Sequence, residues 1–213
     1  MTQDKRWLAR HRKDIYFQKA KQQGYPSRSA YKLLSIQEKD HIIKPGICVL
    51  DLGASPGGWS RVARDLVGEK GRVIAIDILP LQPMAGVEFI QGDFNESAVF
   101  DKLLAALGGL KADLVISDMS PNMSGMKEID QPRSLHLVEL AWDCTKTALK
   151  PGGSFLTKIF QGSGVDALFA DLRKHFKQVK YRKPSASRSE SSEVYILASE
   201  FLGYNESSSS VRE

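Results

Sequence analysis

From residue 47 onward, the chain alternates between two patterns of apolar and polar positions. Short apolar runs predict buried strands, which we place at residues 47–53, 72–78, 87–93, 112–118, 153–160, 178–183 and 193–199. Between the runs, apolar positions three and four residues apart predict helices over residues 59–68, 97–109, 133–149 and 165–176. Another helix is predicted over residues 27–40, with Ser27 or Ser29 as its cap.

Strands that alternate with helices indicate an α/β fold, with a mostly parallel sheet covered by helices on both faces. The segment SASRSESS between the last two predicted strands is too short for a parallel crossover, so these strands should pair antiparallel. A chain of 213 residues suits one domain, which we place at residues 1–213. Residues 1–26 should form a basic N-terminal arm, and the polar residues 204–213 a disordered tail.

Acidic side chains stand at the ends of four predicted strands. These residues are Asp51, Asp77, Asp93 and Asp118, and the fifth strand carries Lys158. Ligands of such sheets bind beyond the carboxyl ends of the strands, so the five side chains should converge on one edge. Each aspartate alone could equally cap a helix, and Lys158 could simply form a salt bridge with Asp118.

The glycine-rich turn after the first strand, DLGASPGGWS, predicts a nucleotide-like ligand. It does not match the dinucleotide fingerprint, because residues 53–58 read GASPGG, and it does not match the P-loop, because Trp59 and Ser60 replace Lys-Ser/Thr. Pro56 also removes an amide donor that a pyrophosphate would need. A ligand with ribose and adenine but no phosphate suits the turn, and S-adenosylmethionine is such a ligand. Asp77 has the position of a ribose-binding acid, and Asp93 should lie near the adenine. The full set of predicted cofactor-binding residues is Gly53, Gly57, Gly58, Trp59, Asp77, Asp93 and Asp118.

Positive charge is concentrated at the start of the chain. Residues 1–32 carry a net charge of +7, whereas the whole chain carries +5. A second basic patch, residues 173–188, contains seven Lys or Arg and no acidic residue. Basic residues interleaved with aromatic ones are typical of a nucleic-acid surface, although a solvated arm has the same composition. The sequence predicts no membrane segment and no metal site, and its two cysteines suit a reducing cytoplasm.

Three segments closely resemble the FtsJ/RrmJ family of ribosomal RNA 2′-O-methyltransferases: DLGASPGGWS, ISDMSPNMSG and LTKIFQG. The resemblance extends from YPSRSAYKL to SSEVYILA. It implies a Rossmann-like class I methyltransferase fold with a seven-stranded sheet and a final antiparallel strand. It also implies S-adenosylmethionine as cofactor and a catalytic tetrad at Lys32, Asp118, Lys158 and Glu193. The implied substrate is a uridine 2′-hydroxyl in bacterial 23S rRNA.

The chemistry of these residue types agrees with the resemblance. A ribose hydroxyl needs a group that takes its proton while its oxygen is in line with the methyl group. We expect Lys158 to be that base, oriented by Asp118, with Lys32 positioning the ribose and Glu193 supporting the lysines. A monomer acting on the large ribosomal subunit in the cytoplasm is the expected biological form. A nicotinamide-dependent oxidoreductase and a non-catalytic ribosome-assembly factor are the competing hypotheses.

Overall fold

A computed structural model describes residues 14–188 and 191–203 of the chain. Seven strands of this part form one sheet: β1 (Cys48–Leu52), β2 (Arg72–Asp77), β3 (Val87–Gln91), β4 (Ala112–Ser117), β5 (Leu149–Phe160), β6 (Phe176–Arg182) and β7 (Glu193–Phe201). Each predicted strand is confirmed in place, with ends that differ by a few residues. The strands lie in the order β3-β2-β1-β4-β5-β7-β6.

Strand β7 is the one that runs against its neighbours in the described sheet. It pairs antiparallel with both β5 and β6, whereas the other pairs are parallel. The antiparallel pairing of the last two strands is therefore confirmed. It follows from the short connection between them, which has no room for a crossover helix.

Six helices are described: α1 (Ile15–Gln23), α2 (Ala30–Asp40), α3 (Gly58–Val67), α4 (Ser97–Leu107), α5 (Lys127–Ala148) and α6 (Val165–His175). Helix α1 lies within the segment expected to be an arm. The Asp14 side chain caps its first amides, and Gly24 ends it in the left-handed conformation. The remaining arm residues 1–13, and the tail 204–213, lie outside the described residues.

Two helix boundaries differ from those predicted. Ser29 occupies the cap position of α2, but its side chain makes no capping bond, because its backbone is already helical and its hydroxyl bonds to that of Ser27. Helix α5 begins at Lys127, six residues before the predicted start at residue 133. The helix contains the exposed Pro132 and forgoes one backbone hydrogen bond there.

The core lies in two layers, one on each face of the sheet. Side chains of alternate strand residues point to opposite faces, so Leu50 and Leu52 pack in one layer and Val49 in the other. Helices α2 and α3 cover the layer that contains Val49, and helices α4, α5 and α6 cover the opposite one. The two-sided covering predicted from the strand and helix pattern is confirmed.

The strand order places a reversal of the chain path between β1 and β4. Strands β2 and β3 follow on one side of β1, and strands β4 and β5 on the other. The loops after β1 and β4 therefore diverge to opposite faces and leave a crevice at the carboxyl ends of these strands. The predicted site residues surround this crevice.

Candidate active site

The predicted acidic edge forms where the parallel strands end. Asp51 lies within β1 and Asp77 ends β2, while Asp118 directly follows β4 and Asp93 lies two residues beyond β3. Lys158 is in the part of β5 that continues past the end of β4. The expectation that these side chains gather at one edge is met by the topology.

Lys158 and Asp118 form a buried pair. The Lys158 ammonium donates a hydrogen bond to the backbone carbonyl of Asp118 at 2.6 Å and lies 3.1 Å from its Oδ1 atom. Only 6% of the surface of Lys158 is exposed. The Tyr195 hydroxyl donates to the same carboxylate oxygen at 2.7 Å. Asp118 thus accepts from two groups that fix its orientation at the crevice.

Lys32 and Glu193 form a second buried pair beside the first. Their charged atoms are 2.6 Å apart, and the Ser187 hydroxyl donates to the same Glu193 oxygen at 2.9 Å. Burial favours the neutral acid, but the ammonium groups of Lys32 and Lys158 and the Ser187 hydroxyl outweigh it, so the pKa of Glu193 lies below its usual range. Glu193 is therefore a carboxylate at neutral pH.

The pairing of β5 with β7 explains why these residues meet. Lys158 lies directly opposite Tyr195, and Phe160 lies opposite Glu193. Directly opposed residues share a face of the sheet, as do residues two apart on one strand, so Lys158, Tyr195 and Glu193 project to the same side. Helix α2 covers this face and brings Lys32 to within 6.0 Å of the Tyr195 ring centroid. All four residues of the predicted tetrad come together.

Tyr195 belongs to this cluster and was not predicted. Burial, together with the neighbouring Asp118 and Glu193 carboxylates, raises the pKa of its hydroxyl well above the usual value, so the group stays protonated and remains a donor. The available signal was a hydroxyl-bearing ring two residues after Glu193, directly before the buried aliphatic residues 196–198.

The glycine positions of the turn allow it to pack closely against neighbouring side chains. Gly53 and Gly57 have positive φ angles of 75° and 101°, which glycine adopts at little cost. A Cβ at Gly53 would overlap the Met119 side chain, and one at Gly58 would overlap the Ser27 hydroxyl. The turn borders a cleft of about 240 Å³, whose lining comprises Ser27, Arg28, Ser29, Asp51, Gly53, Ala54, Ser55, Pro56, Gly58, Trp59 and Asp118.

Asp51 is a buried carboxyl at the base of this cleft. It is 1% exposed and accepts a hydrogen bond from the Ser60 hydroxyl at 2.6 Å. Burial raises the pKa of Asp51 to about 7; the Ser60 hydroxyl opposes this rise, and the nearby Asp118 and Asp77 carboxylates add to it. Asp51 is one of the predicted strand-end acids, but it is not among the predicted cofactor-binding residues.

Asp77 ties the glycine turn to the end of β2. Its two carboxylate oxygens accept from the backbone amides of Ser55 and Leu79, both at 2.8 Å. Each oxygen keeps a further lone pair for a ligand hydroxyl. Asp93 is held more locally, because one of its oxygens accepts from the backbone and side-chain amides of Asn95.

Trp59 is a packing residue beneath the turn. It is 2% exposed, its indole nitrogen donates to the Ser29 carbonyl at 2.9 Å, and its ring lies 5.6 Å from that of Tyr195. The side chain therefore joins helices α2 and α3 at the edge of the cleft. The predicted contact of Trp59 with the cofactor stays a prediction, and its backbone is the part suited to make it.

Two loops continue from the strands that carry Asp118 and Lys158, and both are anchored to the start of α5. The β4 loop (residues 118–126) is held by Asp130, which accepts from the amides of Ser124 and Gly125 and from the Ser124 hydroxyl at 2.7–2.9 Å. The β5 loop (residues 161–164) is held by the Gln131 side chain, which donates to the Ser163 carbonyl at 2.9 Å. These anchors were not predicted, because side-chain contacts of this kind leave no periodic pattern in the sequence.

The basic patches are partly neutralised by acids that are distant in the sequence. Arg182 forms a bidentate pair with Asp40 at 2.6 and 2.7 Å, and Arg28 pairs with Asp14. Lys177 lies 3.1 Å from Glu200 on the neighbouring strand. The second patch, which contains no acid in its own sequence, is therefore less positive than its composition suggests.

Within residues 14–188 and 191–203, no helix is long and apolar enough to cross a membrane. The same residues contain no group of three or more His, Cys, Asp or Glu side chains arranged to hold a metal ion.

Comparison with known proteins gives a consistent result over nearly the whole chain. Residues 25–201 match the sequence model of the FtsJ-like methyltransferase family. A Coxiella burnetii protein named ribosomal RNA large subunit methyltransferase E is 61% identical over 210 residues, which cover 97% of this chain and 99% of the relative. A protein of the same name from Chromohalobacter salexigens is 55% identical over 197 residues, covering 92% and 94% of the two chains.

Solved structures with the same fold include a Plasmodium falciparum protein described as a ribosomal RNA methyltransferase. It superposes with a TM-score of 0.74 at 29% identity, over 84% of this chain and all of that one. Fibrillarin from Aeropyrum pernix, solved with bound S-adenosylmethionine, gives a TM-score of 0.51 at 15% identity over 79% of this chain and 73% of its own. At that identity the likeness concerns the fold alone.

Proposed function

Because the chain belongs to the FtsJ-like methyltransferase family, we propose that it transfers a methyl group from S-adenosylmethionine to the 2′-hydroxyl of a uridine in 23S rRNA. The observation that carries the proposal is the cluster of Lys32, Asp118, Lys158 and Glu193 at the crevice, in which Lys158 and Glu193 are buried and the other two are partly buried. Withdrawing two lysines and two carboxylates from water is costly, and such clusters of charged groups are typical of catalytic sites that move a proton.

Lys158 is the base in this proposal. Its nitrogen would take the proton of the 2′-hydroxyl as the ribose oxygen bonds to the methyl carbon and the bond from that carbon to the cofactor sulfur breaks. Only the neutral amine can accept that proton, so Lys158 must first release one. Asp118 keeps the nitrogen in place through its backbone carbonyl and its Oδ1 atom. Lys32, held by Glu193, lies beside the ribose and fixes its orientation.

The residues around the cleft fit S-adenosylmethionine. Two carboxyl groups, Asp51 and Asp118, line the cleft and suit its positively charged amino and sulfonium groups, whereas both would repel a diphosphate. The glycines of the turn leave the backbone accessible, and Asp77 at the end of β2 has free acceptor capacity for the ribose hydroxyls. When bound, S-adenosylmethionine supplies an electrophilic methyl group on a positively charged sulfur.

In this proposal the substrate in the cell is 23S rRNA within the large ribosomal subunit, and the enzyme acts as a monomer in the cytoplasm. The names of the relatives from C. burnetii and C. salexigens support an rRNA substrate. The ion pairs of Lys177 with Glu200 and of Arg182 with Asp40 support recognition of a structured particle, because side chains held by acids are less available to bind the phosphates of free RNA.

Two experiments test this function. Mass spectrometry of 23S rRNA from a strain lacking the gene should show one missing 2′-O-methyluridine, which the reintroduced gene restores. In vitro, purified protein with tritiated S-adenosylmethionine should label large subunits from the deletion strain but not those from the parent. An unchanged set of modified nucleotides in the deletion strain would refute the proposal.

A further inference from the structure

Ser187 makes a direct contact with the Lys32–Glu193 pair. Its hydroxyl donates to Oε1 of Glu193 at 2.9 Å, and the Lys32 ammonium lies 2.6 Å from the same oxygen atom. Ser187 comes from the segment that joins β6 to β7, six residues before Glu193. A single carboxylate oxygen is therefore shared between an ammonium and a neutral hydroxyl.

The backbone that carries Ser187 is itself held in place. The Ser187 amide donates to the Pro184 carbonyl at 3.0 Å, and the Arg28 guanidinium donates to the carbonyl of the buried Ala186. Lys183 bonds to the backbone carbonyls of Ser191 and Glu193. These contacts fix both ends of the turn, so the hydroxyl needs little ordering to reach Glu193.

The environment of Glu193 explains why the contact matters. The residue is 8% exposed, so its carboxylate depends on protein partners in place of water. The charged or titratable groups that face it are Lys32, Lys158, Arg28 and Tyr195. Ser187 is the neutral donor among the groups that lower the pKa of Glu193. Removing the hydroxyl leaves a buried acceptor with one partner fewer and makes the ionised form less favourable.

We propose that Ser187 is a positioning residue for methyl transfer, holding the Glu193 carboxylate in the orientation that fixes Lys32 against the target ribose. This inference rests on the proposed function. It assigns the serine no contact with substrate or cofactor, and its effect passes through Glu193 to Lys32.

The test compares three variants in single-turnover methylation of large subunits from the deletion strain. Ser187→Ala should lower the rate roughly three- to tenfold at neutral pH, the size of one lost hydrogen bond. In the pH–rate profile, the further loss of rate that follows protonation of Glu193 should begin at a higher pH than in the wild type, because Glu193 then takes up a proton more readily. Ser187→Thr keeps the hydroxyl and should restore both. Ser185→Ala is the matched control, because that hydroxyl lies in the same segment but bonds to Ser35.

A double-mutant cycle with Glu193→Ala, which removes the acceptor of the Ser187 hydroxyl, shows whether Ser187 acts through Glu193. The Ser187→Ala change should slow the wild-type enzyme but add nothing in the Glu193→Ala background. Equal slowing in both backgrounds, or a wild-type rate and pH profile for Ser187→Ala, would overturn the inference. Failure of the wild-type protein to methylate any particle would instead refute the proposed function. If the Ser187→Ala variant unfolds at the wild-type temperature and binds the cofactor with wild-type affinity, its lower rate reflects lost positioning and not a folding defect.

Discussion

The Lys158 ammonium is held by two different atoms of one residue, the backbone carbonyl of Asp118 at 2.6 Å and its Oδ1 atom at 3.1 Å. The carbonyl contact does not depend on the side chain at position 118. The position of Lys158 is therefore partly set by the backbone where β4 ends, and the Asp118 carboxylate adds direction and charge.

The first prediction concerns Lys158 as the base. Lys158→Met keeps the length of the side chain but removes the amine, so the methylation rate should fall by roughly 10²- to 10⁴-fold. Cofactor affinity, measured by calorimetry, should stay close to that of the wild type. Lys102→Met changes an exposed lysine of α4 and serves as the control. A Lys158→Met enzyme within about tenfold of the wild-type rate would show that another group accepts the proton.

The second prediction concerns Asp51 and pH. Between its ordinary pKa of 3.8 and its folded pKa of about 7, the native state holds a proton that the unfolded chain has lost. The bound proton of Asp51 thus contributes to the free energy of unfolding. This contribution is complete below pH 4 and is lost as the pH rises through 7, where keeping the ionised carboxyl buried costs ~4 kcal/mol. Asp51→Asn removes the titration, so the variant should gain stability relative to wild type between pH 5 and pH 8.

Urea unfolding at several pH values measures this difference. Asp101→Asn, a change of an exposed aspartate in α4, provides the control and should show a difference from wild type that does not depend on pH. A pH-independent difference for Asp51→Asn as well would mean that Asp51 is already ionised throughout this range in the folded protein.

The third prediction separates packing from cofactor contact at Trp59. Trp59→Phe removes the hydrogen bond from the indole to the Ser29 carbonyl and should cost about 1–2 kcal/mol of unfolding free energy. Cofactor affinity should remain unchanged. Trp142→Phe removes a comparable indole bond, to Asp171, in the opposite core layer. A loss of affinity confined to Trp59→Phe would instead show that its side chain contacts the cofactor.

The fourth prediction concerns Asp77. Asp77→Ala removes the acceptor for the Ser55 and Leu79 amides and the proposed partner of the cofactor ribose. Because hydrogen bonds to a charged group are strong, cofactor affinity measured by calorimetry should fall roughly 10- to 100-fold. Asp77→Asn keeps one acceptor oxygen and should give an intermediate loss. Equal affinities for the wild type and Asp77→Ala would exclude Asp77 from the cofactor site.

The strands could be predicted because their buried positions form short apolar runs. Both faces of the sheet are covered, so runs such as residues 72–78 stand out from their surroundings. Helix α1 was not predicted, because it has no comparable set of buried apolar positions. Only Ala20 is buried in it, so no apolar stripe marks it, although its capping residues Asp14 and Gly24 were visible signals.

The site could be predicted only in part. The resemblance to a known family supplied the tetrad, and the strand-end position of Asp118 supported it. The contact of Tyr195 with Asp118, 77 residues away, depends on the antiparallel register of β7. No local sequence pattern predicts that register. The same holds for Arg182 and Asp40, 142 residues apart, whose pairing reduces the charge of a patch that looked uniformly basic.

Consecutive residues of α5 support both loops that flank the tetrad: Asp130 holds the β4 loop and Gln131 holds the β5 loop. A change in the length of either loop therefore has to be accommodated by a helical turn that also carries the other. To give this enzyme the nucleotide preference of a relative, the two loops and the helical turn with Asp130 and Gln131 would have to be exchanged together.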